Sequence, residues 1–395
     1  MDRKSETVAG RTALVIGHCA GMIDLVALPV WVGMVLIGRM GLEPMRAGGL
    51  ATLFLISVVA AGLVFAPRLN RIRRRRFVPA AFAIAGLAFV GMTTTTDYAL
   101  LALAHACAGF AVGCGLSLTH GTMGGTANPH RLMSIAFTAL GVVAVVFLGT
   151  LPQSVARFGA EALFFAIAAI MFTAALAALL AFPDTGTGSG AAAAPRVVEA
   201  PLSARVWFGM AGVSLMALNQ AMMFAYVERI GDWHGFGAAQ IAGVLVAVGV
   251  VNLFPAALAG VLERRLSTAG VMVVGPLLQA ALGLSITQAP AFAAYAFAAC
   301  SFIALLIFTH TFVFGFLARE DRSGRAVAAT PVMVMTGSAI GPLLGGALAQ
   351  QAGYGSLGWA AAAIGISGSL IFLRAVRARG AAGSAVVVGA KAEAT

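Results

Sequence analysis

The chain has 395 residues, of which 60% are hydrophobic and only 10% charged, with a formal net charge of +11 and a mean hydropathy of +0.96. Soluble domains carry about 25% charge, so a water-soluble fold is excluded. At about 20 apolar residues per spanning helix, this length holds about twelve spans joined by short loops: an all-α polytopic membrane protein.

The spans are predicted at 12–38, 46–67, 77–96, 98–122, 131–152, 162–182, 205–230, 239–262, 268–288, 290–317, 326–350 and 356–377. They are separated by polar clusters such as Asn70 to Arg76 and Arg319 to Arg325. In the first span, Asp24 stands mid-way along an apolar run from Thr12 to Gly38, five residues before Pro29. A carboxylate at that depth has to face the protein interior or a water-filled path, which makes it a functional candidate. Pro29 removes an amide that would have bonded the Leu25 carbonyl, so a loosened turn is predicted close to Asp24. His18 lies six residues earlier, roughly 120° around the helix and about 9 Å along it, too far to pair with Asp24 directly.

With both termini on the cytoplasmic side, the inner segments hold 21 Lys and Arg residues, and the outer segments hold Arg39, Arg46, Arg157 and Arg229. That asymmetry matches the positive-inside rule and accounts for the net charge without a nucleic-acid partner. The expected location is therefore the plasma (inner) membrane, with both termini cytoplasmic. No cleavable signal precedes the first span, and the four cysteines all fall inside predicted helices, as packing residues do.

The Gly-, Ala-, Thr- and Pro-rich stretch 183–204 reads as a cytoplasmic linker. It divides the chain into a six-helix bundle at 1–182 and a second at 205–379, followed by a tail at 380–395 expected to be disordered. Landmarks recur between the halves at nearly one offset: Arg71 with Arg264, Arg131 with Arg325, and Gly48 with Gly243. Such duplication is a feature of many membrane transporters.

The loop after the second span reads Ala66, Pro67, Arg68, Leu69, Asn70, Arg71, Ile72, Arg73, Arg74, Arg75. Together with the twelve spans and the repeat, it resembles the major facilitator superfamily of secondary transporters over essentially the whole chain. Arg71, Arg74 and Arg75 keep the family's basic positions, whereas Asn70 replaces its acid and Arg73 its second glycine. The resemblance implies that this loop, with Glu263 and Arg264 at the equivalent place in the second half, latches one access state. Topology fixing and headgroup contact are the bland alternative for these arginines. Gly337, Gly341, Pro342, Gly345 and Gly346 give the eleventh helix one thin face, which reads as close helix packing.

The resemblance also implies a central cavity lined by the first, fourth, seventh and tenth helices. Asp24, with His105 on the fourth, then becomes the candidate proton-coupling pair. On the seventh, Asn219, Met222, Met223 and Tyr226 share one face, and Asn219, Met223 and Tyr226 are read as substrate-binding together with His310 on the tenth. Packing is the alternative for that stripe. Glu228, near the outer end, reads as solvated. The sequence has no glycine-rich loop ending in Gly-Lys-Ser or Gly-Lys-Thr, so direct drive by ATP is not expected. The expected protein is a monomeric secondary transporter of a small organic solute, coupled to protons, working in the lipid bilayer and carrying no metal or cofactor. The competing classes are a membrane enzyme of lipid or isoprenoid metabolism, for which the histidines show no converging spacing, and a non-transporting receptor.

Overall fold

A computed structural model describes residues 7–183, 201–321, 326 and 330–378. The predicted linker (apart from its ends) and tail lie outside them, as do Arg325 and the side chain of Asn70. Among the described residues there are helices and no strands. Eleven helices are long and apolar enough to cross a membrane, and a bent pair supplies a twelfth span.

The first span opens as α1, Val8–Leu28, capped by the Thr7 side chain on the Gly10 amide. It continues without a break as a π-helical segment, Pro29–Arg39. The ladder changes register at Pro29, where the missing amide was predicted to loosen the turn; Met40 N–H then reaches back to the Val35 carbonyl. The N-terminal half goes on through α2 (Pro44–Phe65), α3 (Arg74–Gly91), α4 (Tyr98–Gly124), α5 (Pro129–Phe158) and α6 (Glu161–Ala181). Asn128 caps α5, with Pro129 at its first turn, where no amide is needed. The helix runs past the predicted end at 152 because Pro152 is accommodated inside it. It stops at Gly159, whose φ of +88° suits glycine.

The C-terminal half comprises α7 (Ala204–Trp233), α8 (Ala238–Val251), α9 (Pro255–Leu262), α10 (Thr268–Gln288), α11 (Phe292–Glu320), α12 (Thr330–Ala352) and α13 (Gly355–Arg377). The eighth span, predicted as one helix over 239–262, is broken at Asn252–Phe254, and α8 and α9 meet at 41°. Pro255 at the start of α9 cannot donate to the preceding turn, which is why the helix restarts there.

Each half packs as a bundle: α2 on α4, α3 on α6 and α1 on α5 in the first, and α10 on α13 and α7 on both α12 and α13 in the second. The halves meet along three seams: α2 with α12, α5 with α8, and the π-helical segment with α7. The core records how they meet. One continuous apolar cluster joins the first bundle to the second through residues such as Tyr226, Ile230, Tyr295 and Leu357, all near the end of the bundle away from the termini. The terminus-side half of the second bundle has a separate cluster around Val206, Met272, Val313 and Phe372. The bundles are therefore sealed together at one end and have independent cores at the other.

Candidate functional site between the bundles

The seal is built from glycines and backbone oxygens. Added methyl groups at Gly48 on α2 and Gly346 on α12 would strike the Pro342 and Pro44 carbonyls, respectively, so these helices touch backbone to backbone. The Tyr226 hydroxyl closes the seam, 3.0 Å from the Pro44 oxygen and 2.7 Å from the Pro342 oxygen. The Leu343 amide donates to Thr52 Oγ1 (3.0 Å), the Met45 amide to Gln350 Oε1 (3.1 Å), and Gln350 Nε2 to Glu43 Oε2 (3.1 Å). The glycine face predicted on the eleventh span is thus two-sided: Gly337, Gly341 and Gly345 meet α7, while Gly346 meets α2.

Glu228 is not solvated as the sequence suggested. It is buried, and its carboxylate takes both the Nε and Nη2 protons of Arg229 against Gly33 of the π-helical segment. The position of Gly33 leaves room for that carboxylate, where a β-carbon would clash with Glu228 Oε2. Nothing in the local sequence announced this, because the pairing depends on the widened helix opposite.

Deeper in the first bundle, polar atoms are buried without partners. Asp24 is 3% exposed; its Oδ1 accepts from the Leu25 amide at 2.9 Å and its Oδ2 has no partner. Two turns further along the same helix, about 10 Å away, Trp31 stacks on His105 with ring centroids 5.4 Å apart and 20° between planes. His105 Nδ1 lies 2.7 Å from the Leu101 carbonyl oxygen, so that nitrogen carries the proton and Nε2 is left as a bare acceptor. Neither His105 Nε2 nor Trp31 Nε1 has a partner, although both residues are fully buried. The structure therefore brings His105 onto the helix that carries Asp24, but onto Trp31 rather than onto the carboxylate. Toward the terminus side, His18 Nδ1 lies 2.9 Å from His120 Nε2. Sequence separation gave no sign of this pair or of the role of Trp31; each depends on α1 crossing α4, where Gly17 and Gly21 leave room for Thr119 and Leu116.

The seventh-helix stripe is divided between two jobs. Asn219 Nδ2 donates to the Ala361 carbonyl at 3.1 Å and lies 3.5 Å from Gln279 Oε1, which ties α7 to α13 and α10. Met222 packs on Gly341 and Gly345 of α12. Met223 borders a void of about 10 Å³ with Phe302 and Ile303 of α11. Tyr226 belongs to the seal. On α11, His310 is half-buried, its Nε2 unpartnered and its ring edge-on to Phe314.

Of the residues predicted to form a latch, Arg74 and Glu263 make contacts within their own bundles. Arg74 is buried and donates to the Leu69 carbonyl and to Thr122 Oγ1, both at 3.2 Å, pinning the Ala66–Arg71 turn to α4. Arg71 and Arg75 are exposed. Glu263 lies 4.0 Å from Arg319 of α11, and Arg264 is exposed.

Two six-helix bundles, sealed at one end around buried polar groups, define a polytopic membrane protein of the transporter type. The chain belongs to the Major Facilitator Superfamily, whose family model matches residues 14–319. Its fold is similar to that of a bacterial homolog of the human lysosomal transporter Spinster in two inward-facing structures. The unoccupied form has TM-score 0.70 and 14% identity, covering 93% of this chain and 96% of that one. The occupied form has TM-score 0.72 and 15% identity, covering 95% and 97%. A D-xylose-proton symporter is similar too, with TM-score 0.69 and 17% identity over 92% of this chain and 96% of that one. No curated protein matches the sequence.

Proposed function

We propose that this protein is a secondary transporter that moves a small organic solute by alternating access and is coupled to protons through Asp24. The observation that carries this reading is the unpartnered Asp24 Oδ2, buried within a membrane-spanning helix. A permanently charged carboxylate there would be costly, whereas one that binds and releases a proton as the bundles rock has a reason to be present. His105, with Nε2 bare two turns away, is a second acceptor for the same proton. The neutral alternative, a structural hydrogen bond to another helix, leaves the free oxygen without an explanation.

On this reading both termini are cytoplasmic, so the sealed end is the outer one and the end with separate cores is the cytoplasmic one. Two of the similar structures are inward-facing, and a third belongs to a proton symporter; both facts support the reading by analogy of fold. His310, with its Nε2 unpartnered, and Met223, beside Phe302 and Ile303 of α11, remain the substrate contacts of this proposal. Asn219 and Tyr226 are assigned instead to packing and to the outer seal, and Arg74 to holding its loop.

The test is reconstitution in liposomes with a panel of radiolabelled organic solutes. The wild-type protein should accumulate its solute faster under a pH gradient. Asp24→Asn should lose that acceleration and keep solute exchange at equal pH, because exchange needs the site and the rocking motion but no net proton movement. Full gradient-driven accumulation by the Asn variant would remove Asp24 from the mechanism.

A further inference from the structure

A cavity of about 300 Å³ is away from the seam, on the flank of α10 and α11. Its walls are almost entirely apolar, with Leu266 from the turn before α10, Val274 and Leu278 from α10, and Leu305 and Phe308 from α11. Val274 is 47% exposed and Leu278 50%, so the groove opens outward from the bundle toward the surrounding hydrocarbon. From Gly270 to Leu278 it follows α10 for about 12 Å, most of the depth of one leaflet of a hydrocarbon core of about 30 Å.

Its terminus-side mouth is basic. Arg264 and Arg265, both exposed, immediately precede the groove residues Leu266 and Ser267. Arg319 arrives from α11, donating to Thr268 Oγ1 at 3.0 Å, with Glu263 4.0 Å away, while the next residue, Glu320, is paired with Arg205 at 3.1 Å. Three guanidinium groups against one carboxylate leave an excess of positive charge at the level where α10 begins.

We propose that this groove binds one anionic glycerophospholipid, with an acyl chain along α10 and the phosphate on Arg264, Arg265 and Arg319. An apolar slot running most of the depth of one leaflet fits the chain. The excess positive charge at its mouth favours a headgroup with net negative charge over a zwitterionic one, whose cation would be driven against the arginines. The assignment is independent of which solute the protein carries and of how it is coupled.

Native mass spectrometry of the full-length protein in detergent tests it, with dioleoyl phosphatidylglycerol and dioleoyl phosphatidylcholine added at equal concentration. The expected result is a single retained phosphatidylglycerol, preferred roughly thirtyfold, the scale of two basic residues at a lipid surface. Arg264→Gln with Arg265→Gln should abolish the preference. Val274→Trp, which fills the slot and leaves the arginines in place, should lose retention of both lipids. Equal retention of the two lipids, or an unchanged preference in the double variant, would overturn the site. Displacement by millimolar glycerol 3-phosphate would also overturn it, by showing that a soluble anion without a chain is sufficient.

Discussion

The Tyr226 hydroxyl joins the two bundles at Pro44: it is 3.0 Å from that carbonyl oxygen while also 2.7 Å from the Pro342 oxygen. One hydroxyl proton serves one acceptor at a time, and only the Pro44 contact has to break for the bundles to part. Tyr226→Phe should therefore weaken the seal by about 1 kcal/mol, a roughly fivefold shift in a two-state population. Spin labels at Met45 and Gln350, whose own contact spans the same seam, would report it in a background free of native cysteine. A longer-distance component should grow in the Phe variant. An unchanged distance distribution would leave the hydroxyl with no hold on the seal.

Two glycines separate the energetics of the seal from those of the bundle. A methyl group at Gly48 would meet the Pro342 carbonyl and the Tyr226 hydroxyl across the seam, whereas one at Gly341 would meet Met222, Leu218 and Ala221 inside the second bundle. Overpacking costs about 1–3 kcal/mol. In Gly341→Ala that cost has no escape and should lower the melting temperature. Gly48→Ala can relieve it by opening, so it should keep its melting temperature and show the longer Met45–Gln350 distance. Equal loss of melting temperature in both variants would mean that the bundles cannot part at this seam.

The stack of His105 on Trp31 gives a prediction about protons rather than shape. The Leu101 carbonyl fixes the proton on Nδ1, so Nε2 is the nitrogen open to a further proton. His105→Phe retains an aromatic ring against Trp31, worth about 1 kcal/mol as a pair, and removes the acceptor. The variant should stay folded while the pH dependence of solute uptake flattens. His105→Gln, which restores an acceptor without a second titration, should resemble the Phe variant in pH profile. A wild-type profile in both would make His105 a packing residue.

The all-α fold and its membrane spans were legible in the sequence because they depend on local apolar runs. The break at Asn252–Phe254 was not, since the apolar pattern continues through it and only Pro255 marks it. The candidate site was half legible. Asp24 stands out from its own helix, but what surrounds it depends on how α1 crosses α4. That crossing is set by Gly17 and Gly21, which read as ordinary small residues. The seventh-helix stripe shows the limit of periodicity: Asn219 and Tyr226 share a face at i and i+7, yet different partners claim them, Ala361 and Gln279 for one and Pro44 and Pro342 for the other.

In the Glu228–Arg229 pair, burial and charge oppose each other within the seal. The Glu228 side chain is 9% exposed and that of Arg229 21%, with Asp232 a further 3.4 Å from Arg229. Removing one partner of a fully buried pair costs about 3–5 kcal/mol. Here the remaining Arg229 keeps some solvent and the Asp232 carboxylate, so Glu228→Gln should cost less, about 2 kcal/mol, on the same reasoning. Adding Arg229→Met removes the stranded cation, and the double variant should regain most of the lost melting temperature. If it is instead less stable than Glu228→Gln alone, the arginine has a stabilising contact beyond the pair, and Asp232 is the place to look for it.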